Sequence, residues 1–507
     1  RDQLVSQVYP GGPDGQTGET VTVGYGVWGL AETLTGTSAY VTGASFTPDL
    51  RPQLLSLGGT AGAPAIQVRY TYYPWEQPAG RGRLQAIESG PPAEPTALQA
   101  LHYTYDLVGN VATIEDDLSG HPPLSFLYDE LDRLVYARGP YLESYAYSKT
   151  GNIQKRDGWA LYQYDAGQVH AVRRVQGTGA PVTATVTIRA RGVEGGDMLP
   201  RMELWINGTL RDTWTVLSST TFLTYTTETS LTGDDVCEVW FANGGEGREL
   251  WVDRVTLGAV APPPPPPLVP RMYLPLVMRG EGEVGGMAAP LESAPLAEEG
   301  GGPTVTVEAE GGAMVYVGDD LAPGRERLDS TGALRFAVGP HAYAADYDAN
   351  GNMTSRVLHG RGQVLTWDAE NRLISVAGAT GVVSFTYDGD GNRVRTVVSD
   401  TAGVTVTVHI GGYYELTNGT QARSYYHHND RAIAMRDGSG LHWLLADHLG
   451  STTVVADAGG AAEAELRYSP FGVTLSEEGT AATDRRFTGQ RWQATIGLYD
   501  YRARWYD

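Results

Sequence analysis

Three carboxylates recur at an interval of 20 residues: Asp348 in Y-D-A-N-G-N, Asp368 in W-D-A-E-N-R and Asp388 in Y-D-G-D-G-N-R. Paired carboxylates are the groups of general acid–base chemistry. Asp and Asn in a glycine-rich loop are also the oxygen donors that Ca²⁺ takes. Two further phrases carry imidazoles: His427-His428 with Asp430, and Asp447-His448. Each has a simpler reading. Neighbouring residues of a strand point to opposite faces, so adjacent histidines are poor co-ligands. Asp388 and Asp390 lack the closing Glu of a calcium loop. A catalytic residue need occur only once, whereas this phrase is periodic. Neither G-x-S-x-G, a phosphate-binding loop nor H-E-x-x-H occurs in the chain, so the Asp series reads as structural and the residues given predict no enzyme.

What must hold these residues is a β-hairpin per repeat. The stretches before Asp alternate apolar and polar, the period of a strand with one buried face. The Asp carboxylate accepts from backbone N–H groups two or three residues on, and Gly or Asn supplies the positive φ of the turn. Copies in the second half set Tyr347-Asp348 before Gly351-Asn352, Trp367-Asp368 before Asn371-Arg372, and Tyr387-Asp388 before Gly391-Asn392. Looser copies precede them at Tyr105-Asp106, Tyr128-Asp129, Tyr147-Ser148 and Tyr164-Asp165, spaced by 23, 19 and 17 residues. A lone hairpin is marginal in water, so hairpins laid edge to edge are predicted to bury one continuous face.

The fold class is therefore mainly β, a coiled ribbon of stacked hairpins with an inserted β-sandwich. Composition agrees: of 507 residues 65 are Gly and 29 Tyr, against 8 Phe and 8 Met. The beat organises residues 1–176, breaks over 181–258, and is expected to resume over 304–507. Residues 181–258 hold five or more strand patterns with turn residues between them, the signature of a sandwich. Residues 259–303 read as a linker. It begins with Pro262–Pro267, a polyproline stretch of about 19 Å, and continues rich in Gly, Ala, Pro and Glu. The single cysteine, Cys237, lies in an alternating strand pattern and is expected in the core. The net charge of −22 argues against a nucleic-acid partner. The apolar runs fall short of a membrane-spanning helix.

The Y-D-x-x-G-N-R phrases resemble the YD repeats of RHS and teneurin-like proteins. The end of the chain resembles the RHS-repeat-associated core domain more closely, in order and spacing. Its phrases are D-H-L-G-S-T (Asp447, His448, Leu449, Gly450, Ser451), S-P-F-G (Pro470, Phe471, Gly472), F-T-G-Q (Phe487, Thr488, Gly489, Gln490) and G-L-Y-D-Y-R-A-R-W-Y-D (Gly497–Asp507). The resemblance implies a hollow shell of hairpins that the core domain closes at one end. In toxin-bearing members an aspartyl autoproteolysis site follows and frees a C-terminal effector within the shell. That site and any effector would lie beyond Asp507.

Residues 181–258 resemble the calcium-dependent, xylan-binding type of carbohydrate-binding module, whose Ca²⁺ is held by a carboxylate-rich loop and binds sugar hydroxyls. The candidate ligands here are Glu203, Asn243, Glu246, Glu249 and Asp253, which would only partly make up for the acids that this loop lacks. Here Asn243 is followed by Gly244, and Gly247 stands where that family has a second Asp. Ca²⁺ takes six to eight oxygens, so a metal-free structural or adhesive sandwich is the stronger expectation. Three functions remain open from sequence. The first is an extracellular or cell-surface structural shell that assembles with copies of itself. The second is a shell fragment around an effector, and the third an adhesin for polysaccharide.

Overall fold

A computed structural model describes residues 3–13, 18–60, 62–78, 80–118, 123–139, 142–156, 160–177, 182–194, 199–217, 223–231, 236–242, 249–259, 305–309, 326–328, 333–338, 343–358, 361–502 and 504–506. The Pro262–Pro267 run and most of the predicted linker lie outside them.

Among the described residues one antiparallel sheet contains 29 strands. Each strand pairs with the next in the chain, from Ser6–Tyr9 with Glu19–Tyr25 to Ala462–Tyr468 with Thr474–Gly479. The order is broken once. Val172–Gly177 pairs not with its successor but with Tyr343–Tyr347, through Arg174↔Ala344 and Val175↔Tyr343. The ribbon therefore passes from residue 177 to residue 343 as though nothing lay between.

The intervening residues form the sandwich. One sheet orders its strands as Leu223–Leu231, Val182–Val193, Glu249–Ala259 and Glu326–Leu328. The other runs Thr209–Thr215, Arg201–Ile206, Val236–Phe241, Ala333–Val338 and Val305–Ala309. Val186, Ile188, Met202, Leu204, Cys237 and Val239 are buried between them. Strand Arg201–Ile206 shows why: Met202, Leu204 and Ile206 are its buried set, one face of a period-two pattern. The sequence boundary at 304 needs correction. Strand 333–338 completes the sandwich by pairing with Val236–Phe241, 326–328 by pairing with Glu249–Ala259, and 305–309 by pairing in turn with 333–338, and the ribbon resumes at Tyr343. No Tyr-Asp phrase occurs between 304 and 342, so those strands lacked the signal that marks the ribbon.

The ribbon turns back on itself. Its largest core joins strands near the start, carrying Tyr9, Val21, Leu34, Tyr40, Leu57, Ile66 and Tyr103, to late strands carrying Tyr426, Leu441, Trp443, Leu445 and Val454. Tyr40 stacks on Tyr426 with ring centroids 3.8 Å apart. Both phenols donate to the Glu19 carboxylate, each at 2.5 Å, which holds that carboxyl below its usual range against the opposing effect of burial.

Candidate functional site

The repeated Asp builds the same bracket in six of its turns, while Asp165 accepts instead from the N–H of Gly167 and Gln168, two and three residues on. Asp348 Oδ1 accepts from the N–H of Asn350 and of Asn352, both at 2.9 Å, and Oδ2 accepts from Asn352 Nδ2 at 3.0 Å. Asp388 repeats this with Asp390, Asn392 and the Asn392 amide. Asp368 and Asp129 use an arginine at the fifth position, whose Nε donates to Oδ2 at 2.7 Å in both turns. Asp106 and Asp447 form the bracket too. The N–H donors are thus two and four residues on, with Asp106 also accepting from Gly109. The fourth residue takes positive φ, as Gly351, Asn371, Gly391 and Gly450 do.

These bonds fix the charge state. The Asn352 amide, then its N–H, holds Asp348 below the ordinary carboxylate value, and Asn392 does the same for Asp388. The arginine beside Asp129 lowers that carboxyl as well. In the turns of Asp348, Asp368 and Asp388 both carboxylate oxygens are engaged within the turn, which leaves little of them to act on another molecule.

The aromatic residue of each Tyr-Asp or Trp-Asp phrase has its own partner, which sequence reasoning missed. Its polar tip reaches back one repeat, to the first strand carbonyl after the preceding turn. Tyr105 donates to Leu84 O at 2.7 Å, Tyr128 to Val111 O at 2.9 Å and Tyr147 to Leu134 O at 2.7 Å. Trp367 Nε1 reaches Met353 O at 2.6 Å and Tyr387 reaches Leu373 O at 2.8 Å. Tyr347 donates to Val172 O at 2.9 Å, so the stitch spans the insertion without a gap. A one-residue register shift accompanies these aromatics, as between Thr386 and Tyr387, a bulge that re-aims the side chain. The signal was present as the choice of Tyr or Trp, aromatics with a polar tip, where Phe would have packed equally well.

The core-domain phrases converge. The Thr488 N–H donates to Ser451 Oγ at 3.1 Å, and the Thr452 N–H to Arg486 O at 3.2 Å. Gly472 has φ 94°, and a Cβ there would lie 2.5 Å from the Phe487 ring, so the glycine admits that ring. Tyr499 donates to Gly472 O at 3.1 Å. Gln490 closes the last turn by donating to Phe487 O at 3.0 Å, and Arg486 donates its N–H to Gln490 O at 2.8 Å. Phe471, beside Pro470, meets the Tyr145 ring edge-on at 5.1 Å. The His448 ring lies against Tyr103 at 4.8 Å, while Leu449 is exposed. His428 Nε2 lies 2.9 Å from Ala31 O, on a strand from the other end of the chain.

A second cluster was absent from the sequence reading. Glu415 and His409 face each other across adjacent strands, with His409 Nδ1 3.3 Å from the carboxylate. Arg491, from the C-terminal segment, pairs with Glu415 and lies 3.4 Å from Asp484. Tyr425 donates to Asp484 at 2.9 Å, and Arg393 pairs with Asp500 at 3.1 Å. Arg356, fully buried, donates to Ile496 O at 2.6 Å. Buried charges and donors therefore fasten the residues after 484 onto the ribbon. Burial opposes the charge on Glu415, but Arg491 and then His409 outweigh it and keep the carboxyl ionised.

Of the candidate calcium ligands only Glu203 has a described side chain. Glu203 Oε2 accepts from Trp205 Nε1 at 3.0 Å and Oε1 lies 3.1 Å from Arg201, partners that compete with a cation. Asn243 and Glu246 lie outside the described residues. Glu249 and Asp253 are on strand Glu249–Ala259, but their side chains are not described. Among the described residues no group of three or more His, Cys, Asp or Glu converges on one point, and no helix is long and apolar enough to cross a membrane.

Comparisons with known proteins match both parts of the chain, the ribbon and the sandwich. Residues 367–405 match the family of the RHS repeat, and residues 185–269 that of the Ca-dependent, xylan-binding carbohydrate-binding module. In structure the chain is similar to the Tc holotoxin pore of Photorhabdus luminescens, with TM-score 0.51 and 15% identity over 97% of this chain and 19% of that one. It is likewise similar to a TcdB2-TccC3-Cdc42 crystal structure, with TM-score 0.50 and 14% identity over 97% and 19%. At such identity the likeness is one of fold, and the chain spans about a fifth of the solved chains it matches. No curated protein matches it in sequence.

Proposed function

We propose that the ribbon is a length of shell wall in an extracellular or cell-surface protein, built to enclose a polypeptide, and that the sandwich is a glycan-contacting module carried on that wall. The observation that carries the reading is the stitch from Tyr347 to Val172, with its strand pair. Strand pairing and stitch continue across the inserted module, which is what a barrier requires and a catalytic scaffold does not. The brackets support the same role, since their carboxylates are consumed in holding turns. A cryo-EM map of the full-length gene product tests the reading. Extra polypeptide density bounded by the ribbon is expected. An interior open to solvent and empty of chain would overturn it.

The match of residues 185–269 to a xylan-binding family favours a second, compatible role, adhesion to polysaccharide. Titration of the whole chain with xylo-oligosaccharides, with Ca²⁺ and with chelator, distinguishes three outcomes. Binding abolished by chelator supports the calcium route. Binding unaffected by chelator supports a metal-free contact, and no binding leaves the sandwich a structural insert.

A further inference from the structure

Three neighbouring strands turn one charged face toward the C-terminal segment. His409 on Gly403–Ile410, Glu415 on Tyr414–Thr417 and Arg423 on Gln421–His428 stand opposite one another in register. Arg423, Tyr425 and His427 share a face of their own strand, because side chains alternate along it. Residues 484–491 lie over that face. Tyr425 donates to Asp484 Oδ1 at 2.9 Å, and Arg491 pairs with Glu415. The Arg485 guanidinium sits 5.0 Å over the Tyr425 ring and donates to Gly412 O at 2.8 Å. Tyr426 and His428 alternate to the opposite face, where His428 meets Ala31 O.

Positive charge is in excess there. The guanidiniums of Arg393, Arg423, Arg485 and Arg491 face the carboxylates of Glu415, Asp484 and Asp500. Asp430 also favours a charged His427, but it sits at an exposed hairpin tip. His409 is enclosed: Thr396 Oγ1 lies 2.9 Å from its Nε2 and Glu415 Oε1 3.3 Å from its Nδ1. Burial, then the charge of Arg485, holds His427 down to about 4. Burial also lowers His409 against the pull of Glu415, with Arg491 and Arg393 adding to the effect. Two neutral imidazoles are thus packed beneath a segment that brings guanidiniums to them.

We propose that residues 484–491 are an acid-sensitive latch, closed over this face at neutral pH and released when His409 and His427 take up protons beneath it. Two more positive charges would then face guanidiniums already in excess, in a site where water screens them poorly. A lowered imidazole supports the closed state fully above its ordinary value and loses that support as the pH falls. From His427 alone the open form gains on the order of a hundredfold between pH 7 and about pH 4.5. Residues beyond the latch have a separate hold, since Ile496 and Leu498 pack with Leu365, Val383 and Phe385. Release is therefore local to 484–491.

Amide hydrogen exchange of the whole chain, with rates corrected for the intrinsic effect of pH, tests this. The reporters are Arg486, whose N–H donates to Gln490 O, and Trp492, whose N–H donates to Asp484 O. Their protection is expected to fall roughly a hundredfold from pH 7 to about pH 4.5, while strand Gly381–Tyr387 keeps its own. His427→Gln is expected to remove most of that fall. His428→Gln, on the opposite face, is expected to leave it in place. Equal protection of the reporters at both pH values, a loss shared in step by Gly381–Tyr387, or an undiminished fall in His427→Gln would each overturn the proposal. The comparison within the unmutated chain decides the matter even where a variant fails to fold. None of these outcomes bears on whether the wall encloses a polypeptide.

Discussion

Tyr387 and Tyr25 make the same bond in different surroundings. Each phenol donates to a backbone carbonyl at 2.8 Å, Tyr387 to Leu373 in a half-buried setting and Tyr25 to Leu4 in an exposed one. Removing the hydroxyl from Tyr387 leaves a half-buried carbonyl that water reaches less readily than the exposed one of Leu4. Tyr387→Phe is expected to cost about 1 kcal/mol in urea unfolding, the ordinary net value of a lost hydrogen bond, and Tyr25→Phe distinctly less. Equal losses would mean that the stitch is not what the hydroxyl contributes. The bracket carboxylates make a companion case. Asp348→Ala removes three acceptor contacts and should lower the urea midpoint, whereas Asp348→Asn keeps an acceptor oxygen and should lower it less. Because Asp129, Asp348 and Asp388 are held below the ordinary carboxylate value, their contribution is complete above that value. It disappears as the pH falls through the depressed one. Chemical shifts of these carboxyls followed through an acid titration would check the direction.

The elements show where sequence is informative and where it stops. The Tyr-Asp-x-x-Gly-Asn beat was legible because each turn is specified by five consecutive residues and needs nothing distant. The burial of Cys237 was legible from alternation within one strand. The sandwich strands at 305–309, 326–328 and 333–338 were assigned to the wrong element, since only pairing across tens of residues fixes their place. The cluster of Glu415, His409, Asp484 and Arg491 left no local sign either. Its members lie on strands and a C-terminal segment that meet only in the folded chain. The splice at Val175↔Tyr343 gives a direct prediction for the insert. Replacing residues 178–342 with a two-residue turn should leave the ribbon folded and its melting temperature within about 5 °C of the parent, the scale of a 1–2 kcal/mol change in a large domain. Collapse of the circular dichroism signal or aggregation would show that the sandwich supports the wall.

Across the whole molecule, the two ends of the ribbon are joined by polar groups as much as by apolar packing. Glu415→Ala would leave the buried Arg491 with only its longer pair to Asp484 and is expected to cost up to about 3 kcal/mol, the lower end of the penalty for breaking a buried pair. Residues after 484 should then become accessible to protease first. Acid acts at the same end. Burial pushes His427 down to about 4, and burial also lowers His409, His428 and His448. A lowered imidazole contributes stability that is complete above its ordinary value and is lost as the pH falls toward the folded-state one. The melting temperature should therefore fall between about pH 6.5 and pH 4, and His427→Gln should flatten that slope. His442 runs the other way. Hydrogen bonding to Asp437 raises it, so its contribution is complete at low pH and fades as the pH rises through the raised value.

The enclosing wall is tested most directly by protease protection in the full-length gene product. Any residues of that product that follow Asp507 would be tracked by mass spectrometry during digestion, with the ribbon intact and again after Glu415→Ala has loosened the C-terminal segment. The wall predicts that those residues survive while the ribbon is closed and are cut once it is loosened. Cleavage at the same rate in both proteins, with the ribbon itself still intact, would contradict an enclosing shell.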